Sequence, residues 1–144
     1  MSRRHARETA MQYLYRMEMT DFSWEQIEPD ISGNQDLSAS ESEYVKTIVQ
    51  GVCRNRERID ALLSQYLKNW TLDRIPKVDL AILRLGIYEI ARCDDIPPGA
   101  TINECVDMAK AFSTPKSSAF INGILANYLR SSGKGAKKPQ KPEP

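Results

Sequence analysis

The sequence predicts an all-α protein, and three observations support this fold class. Apolar residues recur three and four positions apart along most of the 144 residues, which is the spacing of one helix face. No run of residues alternates between apolar and polar as a half-buried strand does. Capping signals and prolines stand where the helical patterns begin. Together they predict about six or seven helices.

The first predicted helix begins among cations. Three arginines and the only histidine of the chain fall within its first seven residues. The apolar face consists of Ala6, Ala10, Tyr13, Leu14 and Met17. The opposite face carries Arg4, Glu8, Met11, Gln12 and Tyr15, with Arg7 at its flank. The helix macrodipole places partial positive charge at this end, so the cations are unfavourable there unless an anion offsets them.

Two or three further helices are predicted in the first half of the chain. A short one covers residues 24–31, and the turn-forming stretch "SGNQDLSAS" follows it. Ser40-x-x-Glu43 has the spacing of a capping box and precedes an apolar stripe. The polar stretch "CRNRER" interrupts this stripe before it resumes at Ile59. This pattern predicts either two helices or one bent helix.

Residues 76–92 are predicted to form a central helix that starts at Pro76. Its apolar residues lie on nearly every side of the helix, which is typical of a buried helix. Asp79, Arg84 and Glu89 lie within it, and buried charges are rarely tolerated unpaired. We therefore predict that Arg84 pairs with one of the two acids. Asp79 is one turn from the helix start, so it could instead be exposed to a partner protein.

Two more helices are predicted after the proline pair in "DDIPPGA". Thr101-x-x-Glu104 is a second capping box, and Ser117 or Ser118 can cap the last helix. Residues 1–130 are predicted to form one domain. The Lys- and Pro-rich stretch 131–144 is of low complexity, so we expect a disordered tail.

The charge distribution argues against a general polyanion-binding protein. The tail 131–144 has a net charge of +3 and the whole chain +1, so residues 1–130 are net −2. Any nucleic-acid site must therefore be a local patch.

Composition also indicates the cellular compartment. No apolar run approaches the roughly 18 residues of a membrane span, and the N-terminus lacks the pattern of a signal peptide. We therefore expect a cytoplasmic protein with no membrane partner. Cys53, Cys93 and Cys105 are odd in number and widely spaced, which favours small buried thiols over disulfides.

The sequence offers little from which an enzyme could be built. It has no glycine-rich phosphate loop and no dinucleotide-binding fingerprint. One histidine cannot form a histidine-based metal site. A cysteine or serine nucleophile would need His5 as its base, at the start of the chain. We predict no catalytic residues, no cofactor and no metal.

The arginine cluster is the stronger functional signal. A guanidinium group offers a planar fork of donors that matches a phosphate. Arg4 shares its helix face with Gln12 and Tyr15, and a tyrosine ring can stack an unpaired base. This pattern favours a site for single-stranded nucleic acid. The alternative is a solvated basic helix start without such a role.

A second group of candidates lies in the last helix. Phe120 is at the edge of its apolar face, next to Asn122. At that edge the ring can stack a base while the amide reads a base edge. The alternative is that Phe120 is an ordinary core residue.

Four stretches occur together and in order along the chain: "RRHARETAMQYLY", "RIPKVDLAILRLGIYEI", "DIPPGATINECVDMAKAFS" and "FINGIL". This set resembles the NusB family of bacterial transcription antitermination factors over about residues 3–130. The resemblance implies two small helical bundles packed on each other and a heterodimer with the ribosomal protein NusE. It further implies binding to boxA, a short single-stranded element of ribosomal RNA leaders. With other Nus factors, such proteins keep RNA polymerase from terminating and support ribosomal RNA transcription and maturation.

The resemblance also assigns site residues by matching position. The RNA surface would consist of Arg3, Arg4, Arg7, Gln12 and Tyr15, with Phe120 and Asn122 beside them. Asp79 matches an acidic position on the side that faces NusE. Lys116 departs from the family pattern, which often has acids there, and we hypothesise that it contributes a phosphate contact.

Two rival interpretations stay open at this point. The same helical domain resembles the N-terminal extension of certain RNA cytosine methyltransferases. Those enzymes need a catalytic domain that the 144 residues do not contain. The other rival is a non-catalytic, self-associating helical interaction protein whose apolar helix 76–92 forms an oligomer seam. A homodimer is also compatible with the NusB resemblance.

Overall fold

A computed structural model of the chain describes residues 2–68 and 71–133. Seven α-helices follow one another, with one 3-10 turn (Leu72–Arg74) before the fifth. They are α1 (Arg3–Thr20), α2 (Trp24–Ser32), α3 (Ala39–Arg54), α4 (Arg56–Ser64), α5 (Lys77–Arg92), α6 (Pro98–Phe112) and α7 (Pro115–Ser132). The described residues contain no strand. The predicted all-α class and the predicted number of helices are confirmed.

Helix α5 is the centre of the fold. It packs against α1, α3 and α4 from the first half of the chain and against α6 and α7 from the second half. Four of its apolar residues have no exposed surface: Ile82, Leu83, Leu85 and Ile87. The two helical groups implied by the resemblance therefore share α5. The rival prediction of an oligomer seam along this helix is wrong, because the chain's own helices already cover it.

Helix α3 begins earlier than its predicted capping box. Ser38 caps it in place of Ser40: the Ser38 Oγ accepts from the backbone N of Glu41 at 3.2 Å. In return, Glu41 Oε1 accepts from the backbone N of Ser38 at 2.8 Å. Glu41 Oε2 accepts from the backbone N of Ser2 at 2.8 Å, so the same side chain also links α3 to the residue that precedes α1. Glu43, from the predicted frame, is exposed.

The starts of α5 and α6 also differ from the prediction. Pro76 stands just outside α5 and does not form its first residue. Helix α6 begins at Pro98, which suits a first helical position because proline lacks the N–H that would be unpaired there. Thr101 therefore lies inside the helix, where it is fully buried. The predicted box between Thr101 and Glu104 is not formed.

Helix α7 is capped by Thr114, whose Oγ1 accepts from the backbone N of Ser117 at 3.1 Å. The predicted caps, Ser117 and Ser118, are both within the helix. The helix continues to Ser132, two residues beyond the expected domain end at 130. The remainder of the predicted tail, residues 134–144, lies outside the described residues.

All three cysteines are free thiols, as their odd number and spacing predicted. Cys105 is buried, whereas Cys53 and Cys93 are half-buried. Within the described ranges, no helix is both long enough and apolar enough to cross a membrane.

Candidate nucleic-acid interface

Arg4, in the first turn of α1, is exposed to solvent and forms hydrogen bonds to two acids of α6. Arg4 Nε donates to Glu104 Oε1 at 2.9 Å, and Arg4 Nη2 donates to Glu104 Oε2 at 3.0 Å. The same Nη2 donates to Asp107 Oδ2 at 2.8 Å. Hydrogen bonds and charge from Glu104, followed by Asp107, raise the pKa of Arg4 above its ordinary value. With its side chain 55% exposed, Arg4 is a permanent cation that a phosphate can reach from solvent.

Arg7 lies inside the protein and not on the predicted RNA surface. Only 4% of its side chain is exposed. Its Nε lies 3.2 and 3.1 Å from the two carboxylate oxygens of Glu89, and its Nη2 donates to Oε1 at 3.0 Å. Burial alone would lower the pKa of Arg7, but the hydrogen bonds and charge of Glu89 outweigh it and raise the pKa. The predicted surface position is therefore wrong, because Glu89 is buried and holds Arg7 as its counter-charge.

Glu89 is the centre of a buried polar network that the sequence analysis missed. The Tyr44 hydroxyl donates to Oε2, and Thr101 Oγ1 donates to Oε1 at 2.5 Å. Burial raises the pKa of Tyr44, and the charge of Glu89 acts in the same direction. With Arg7, these bonds join α1, α3, α5 and α6, so they fix the start of α1 on the core. The one sequence signal was an acid inside an apolar helix, which does not identify its partners.

Arg3 lies over the aromatic ring of Tyr44. Its guanidinium carbon is 4.9 Å from the ring centroid, and that of Arg7 is 5.9 Å away. Both distances are in the range of a cation–π contact. Arg3 Nε is shielded from solvent and has no hydrogen-bond partner among the described residues. The half-buried Arg3 thus packs on the ring of Tyr44.

The other predicted RNA residues of α1 and α7 keep accessible surface. Gln12 and Asn122 are exposed. Tyr15 and Phe120 are half-buried and pack against the core with part of each ring. Helix α6 links their two helices, because Arg4 of α1 binds it and α7 packs along it.

Asp79 holds the turn between α6 and α7. It is 2% exposed, and its two carboxylate oxygens accept from Ser113 Oγ at 2.7 Å and Ser117 Oγ at 2.6 Å. The predicted exposure of Asp79 is wrong, because the α6–α7 turn supplies two hydroxyl donors that cover it. Lys116, which lies between these serines in the chain, is exposed. Asp79 therefore positions the start of α7, where Lys116 lies.

Arg84 pairs with acids outside its own helix. It donates to both carboxylate oxygens of Asp60 at 2.9 Å and to Glu18 Oε1 at 2.9 Å. These bonds join α5 to α4 and α1. The predicted pairing with Asp79 or Glu89 is wrong, because residues five positions apart are rotated by about 140° around a helix and do not face each other.

Comparisons with known proteins agree over most of the chain. The model of the NusB family matches residues 4–130. The transcription antitermination protein NusB of Listeria monocytogenes serotype 4a (strain HCC23) is 42% identical over 127 residues, which cover 88% of this chain and 95% of that protein. The structure of T. maritima NusB matches with a TM-score of 0.84 at 33% identity, covering 90% of this chain and 92% of that one. A crystal structure of the antitermination factors NusB and NusE in complex with dsRNA matches with a TM-score of 0.74 at 29% identity, covering 90% and 96%.

Proposed function

Because this chain belongs to the NusB family, we propose that it acts in transcription antitermination by binding boxA RNA of ribosomal RNA leaders as a heterodimer with NusE. In this role it works with other Nus factors on RNA polymerase in the cytoplasm and supports ribosomal RNA transcription and maturation. The proposed role is binding without catalysis. The complex of NusB and NusE with dsRNA among the similar structures supports both partners. A homodimer stays a prediction from the resemblance.

The observation that carries the RNA part of the proposal is a pair of cationic helix starts. Helix α1 begins with Arg3 and Arg4, and α7 has Lys116 as its second residue. Neither helix has an acid in its first turn. Unpaired backbone N–H groups and the macrodipole favour a phosphate at such an end. Both starts adjoin α6: Asp107 beside Arg4 is five residues, about 7.5 Å along the helix axis, from the last residue of α6, and α7 begins at Pro115.

The proposal assigns roles according to exposure and chemistry. Phosphate contacts are assigned to Arg3, Arg4 and Lys116, base edges to Gln12 and Asn122, and base stacking to Tyr15 and Phe120. Arg7 and Asp79 are positioning residues, since each is buried and holds a helix start that carries an exposed cation. Asp79 would act on NusE binding only through the α6–α7 turn.

The test is fluorescence anisotropy with single-stranded boxA RNA and a scrambled RNA of the same composition, with and without NusE, over a range of salt. Double-stranded boxA RNA is the third ligand. We expect preference for boxA, tighter binding with NusE, and weaker binding by Arg4→Ala. Loss of one phosphate contact should make the salt slope on a single strand shallower by about 0.7.

The matched control is Arg16→Ala, which removes an exposed arginine further along α1 that pairs with Asp30. This variant should bind RNA as the wild type does. Equal, weak binding of boxA and scrambled RNA with no response to NusE would overturn the proposed function.

A further inference from the structure

Two acids of α6, Glu104 and Asp107, bind Arg4, the cation of α1 to which the proposed function assigns a phosphate contact. We propose that Glu104 and Asp107 form an autoinhibitory contact, in which they hold the phosphate-binding edge of Arg4 and RNA binds by replacing them. This inference rests on the proposed RNA-binding function and deepens it, because it assigns two residues that set the affinity of that surface.

The geometry of Arg4 supports competition. Its three hydrogen bonds to Glu104 and Asp107 use Nε and both protons of Nη2. Nε and Nη2 form one edge of the planar fork, and a guanidinium binds a carboxylate or a phosphate in bidentate fashion through such an edge. A phosphate therefore meets this edge of Arg4 already filled by carboxylate oxygens.

The local charge also supports competition between the two acids and an RNA phosphate for Arg4. Two carboxylates bind one exposed guanidinium, so these three groups together carry a charge of −1 in the free protein. Arg7 Nη1 lies 3.9 Å from Glu104 Oε1, but Arg7 already serves as the counter-charge of Glu89. The attraction that Arg4 could exert on an RNA backbone is thus cancelled until the acids are displaced.

The contact is weak enough to be replaced. Arg4 and Asp107 have side chains 55% and 46% exposed, and water screens such surface pairs strongly. Competition at this strength should lower RNA affinity by about twofold to fivefold for each acid without preventing binding. The contact therefore adjusts RNA affinity and does not block RNA binding.

The experiment compares the charge-neutral double variant Glu104→Gln/Asp107→Asn with the wild type in the anisotropy assay. We expect tighter binding of both boxA and scrambled RNA, by about fourfold to twenty-fivefold if the two single effects add. The salt slope should become steeper, because RNA binding no longer leaves two unpaired carboxylates that take up cations. The charge-conserving swap Glu104→Asp/Asp107→Glu should keep the affinity close to that of the wild type.

The double variant is also made in an Arg4→Ala background, which separates the possible causes. If the acids act by holding Arg4, their removal has no effect in this background. A gain of the same size without Arg4 would mean plain repulsion of RNA and would overturn the inference. Weaker binding by the double variant would mean that the acids orient Arg4 for RNA, and this too would overturn it.

A matched control is Glu28→Gln/Asp30→Asn. It removes the same two residue types and releases Lys46 and Arg16 on another part of the surface. It should not tighten RNA binding. If the wild type binds RNA normally and the α6 double variant shows no gain, only this inference fails. If the wild type does not bind RNA, the proposed function fails and the inference fails with it.

Discussion

At the scale of single residues, three arginines within five positions have three different environments. Arg3 stacks on Tyr44, Arg4 meets two surface acids, and Arg7 neutralises the buried Glu89. Positions 3 and 7 are one turn apart on the same face of α1 and both meet Tyr44, whereas position 4 is rotated by about 100° toward α6. The same side chain type therefore serves as ring partner, core counter-ion and surface cation. Substitutions of the three arginines should therefore have different effects on stability and on RNA binding.

Arg7→Ala should destabilise the protein strongly. It leaves the fully buried Glu89 without its counter-charge, a change that costs about 3–5 kcal/mol of unfolding free energy. Urea denaturation followed by circular dichroism measures this loss. Arg16→Ala is the control, because its exposed ion pair contributes about 1 kcal/mol or less. A stable Arg7→Ala variant with reduced RNA affinity would show that Arg7 contacts RNA directly.

Lys116→Glu should weaken RNA binding while leaving the fold intact. A glutamate in the first turn of α7 is favoured by the macrodipole, which contributes about 0.3–1 kcal/mol in its favour. Loss of one phosphate contact should make the salt slope shallower by about 0.7. Anisotropy and thermal unfolding give the two readouts, with Lys68→Glu, exposed after α4, as the control. Unchanged RNA affinity and salt slope would exclude Lys116 from the RNA surface.

At the scale of helices, α5, α6 and α7 approach one another closely at Gly86. A Cβ at this position would lie 2.9 Å from Leu125 Cδ1 and 3.1 Å from Cys105 Sγ. At Gly123 on α7, by contrast, a Cβ would have no neighbour within 4 Å. The absence of a side chain is therefore a packing requirement at Gly86 and not at Gly123.

Gly86→Ala and Gly123→Ala should change stability in opposite directions. Alanine is favoured over glycine inside a helix by about 1 kcal/mol. At Gly86, overpacking costs about 1–3 kcal/mol and should outweigh this gain, whereas Gly123→Ala should keep it. Chemical denaturation of both variants provides the comparison. Stabilisation of both by the same amount would mean that Leu125 and Cys105 adjust without cost.

Asp79→Ala should loosen the start of α7. It removes the acceptor of two serine hydroxyls, and buried donors left unpaired cost about 1–3 kcal/mol. Hydrogen exchange should become faster for the backbone amides of residues 113–118, and RNA affinity should fall through the displaced Lys116. The result that contradicts this is unchanged exchange together with weaker NusE binding, which would make Asp79 a direct partner contact.

At the scale of the whole molecule, the positive charge for RNA is local. Residues 1–130 carry a net charge of −2, while the tail 131–144 carries +3. The proposed function places the RNA surface at the helix starts of α1 and α7, whereas the lysines of the tail can add only a general attraction to phosphate.

Removal of residues 134–144 should lower the affinity for boxA and scrambled RNA by the same factor. The ratio of the two affinities should stay constant, because contacts to phosphates carry no sequence information. Anisotropy with both RNAs at several salt concentrations checks this. A selective loss of boxA binding would mean that the tail takes part in recognition.

Much of the fold could be predicted because its signals are local. The helical period identified α5 as the central helix, and an unusual run of cations marked the start of α1 as the candidate site. Arg4, Gln12 and Asn122 are exposed as that prediction required. Helix boundaries were harder to predict, because both Ser38 and Ser40 precede a glutamate at capping-box spacing. The contact of Glu41 with Ser2, which favours the box at Ser38, joins residues 39 positions apart.

The sequence by itself thus determined the helices, the central position of α5 and the cationic start of α1, since each depends on residues a few positions apart. Only the tertiary structure decided the ion pairs. Arg7 and Glu89 are 82 positions apart, and Arg4 and Glu104 are 100 apart. A charge can select such a partner only after the helices have packed, because burial and distance then fix which opposite charge is within reach. For this reason Arg7 became part of the core while Arg4, three residues earlier, stayed on the surface.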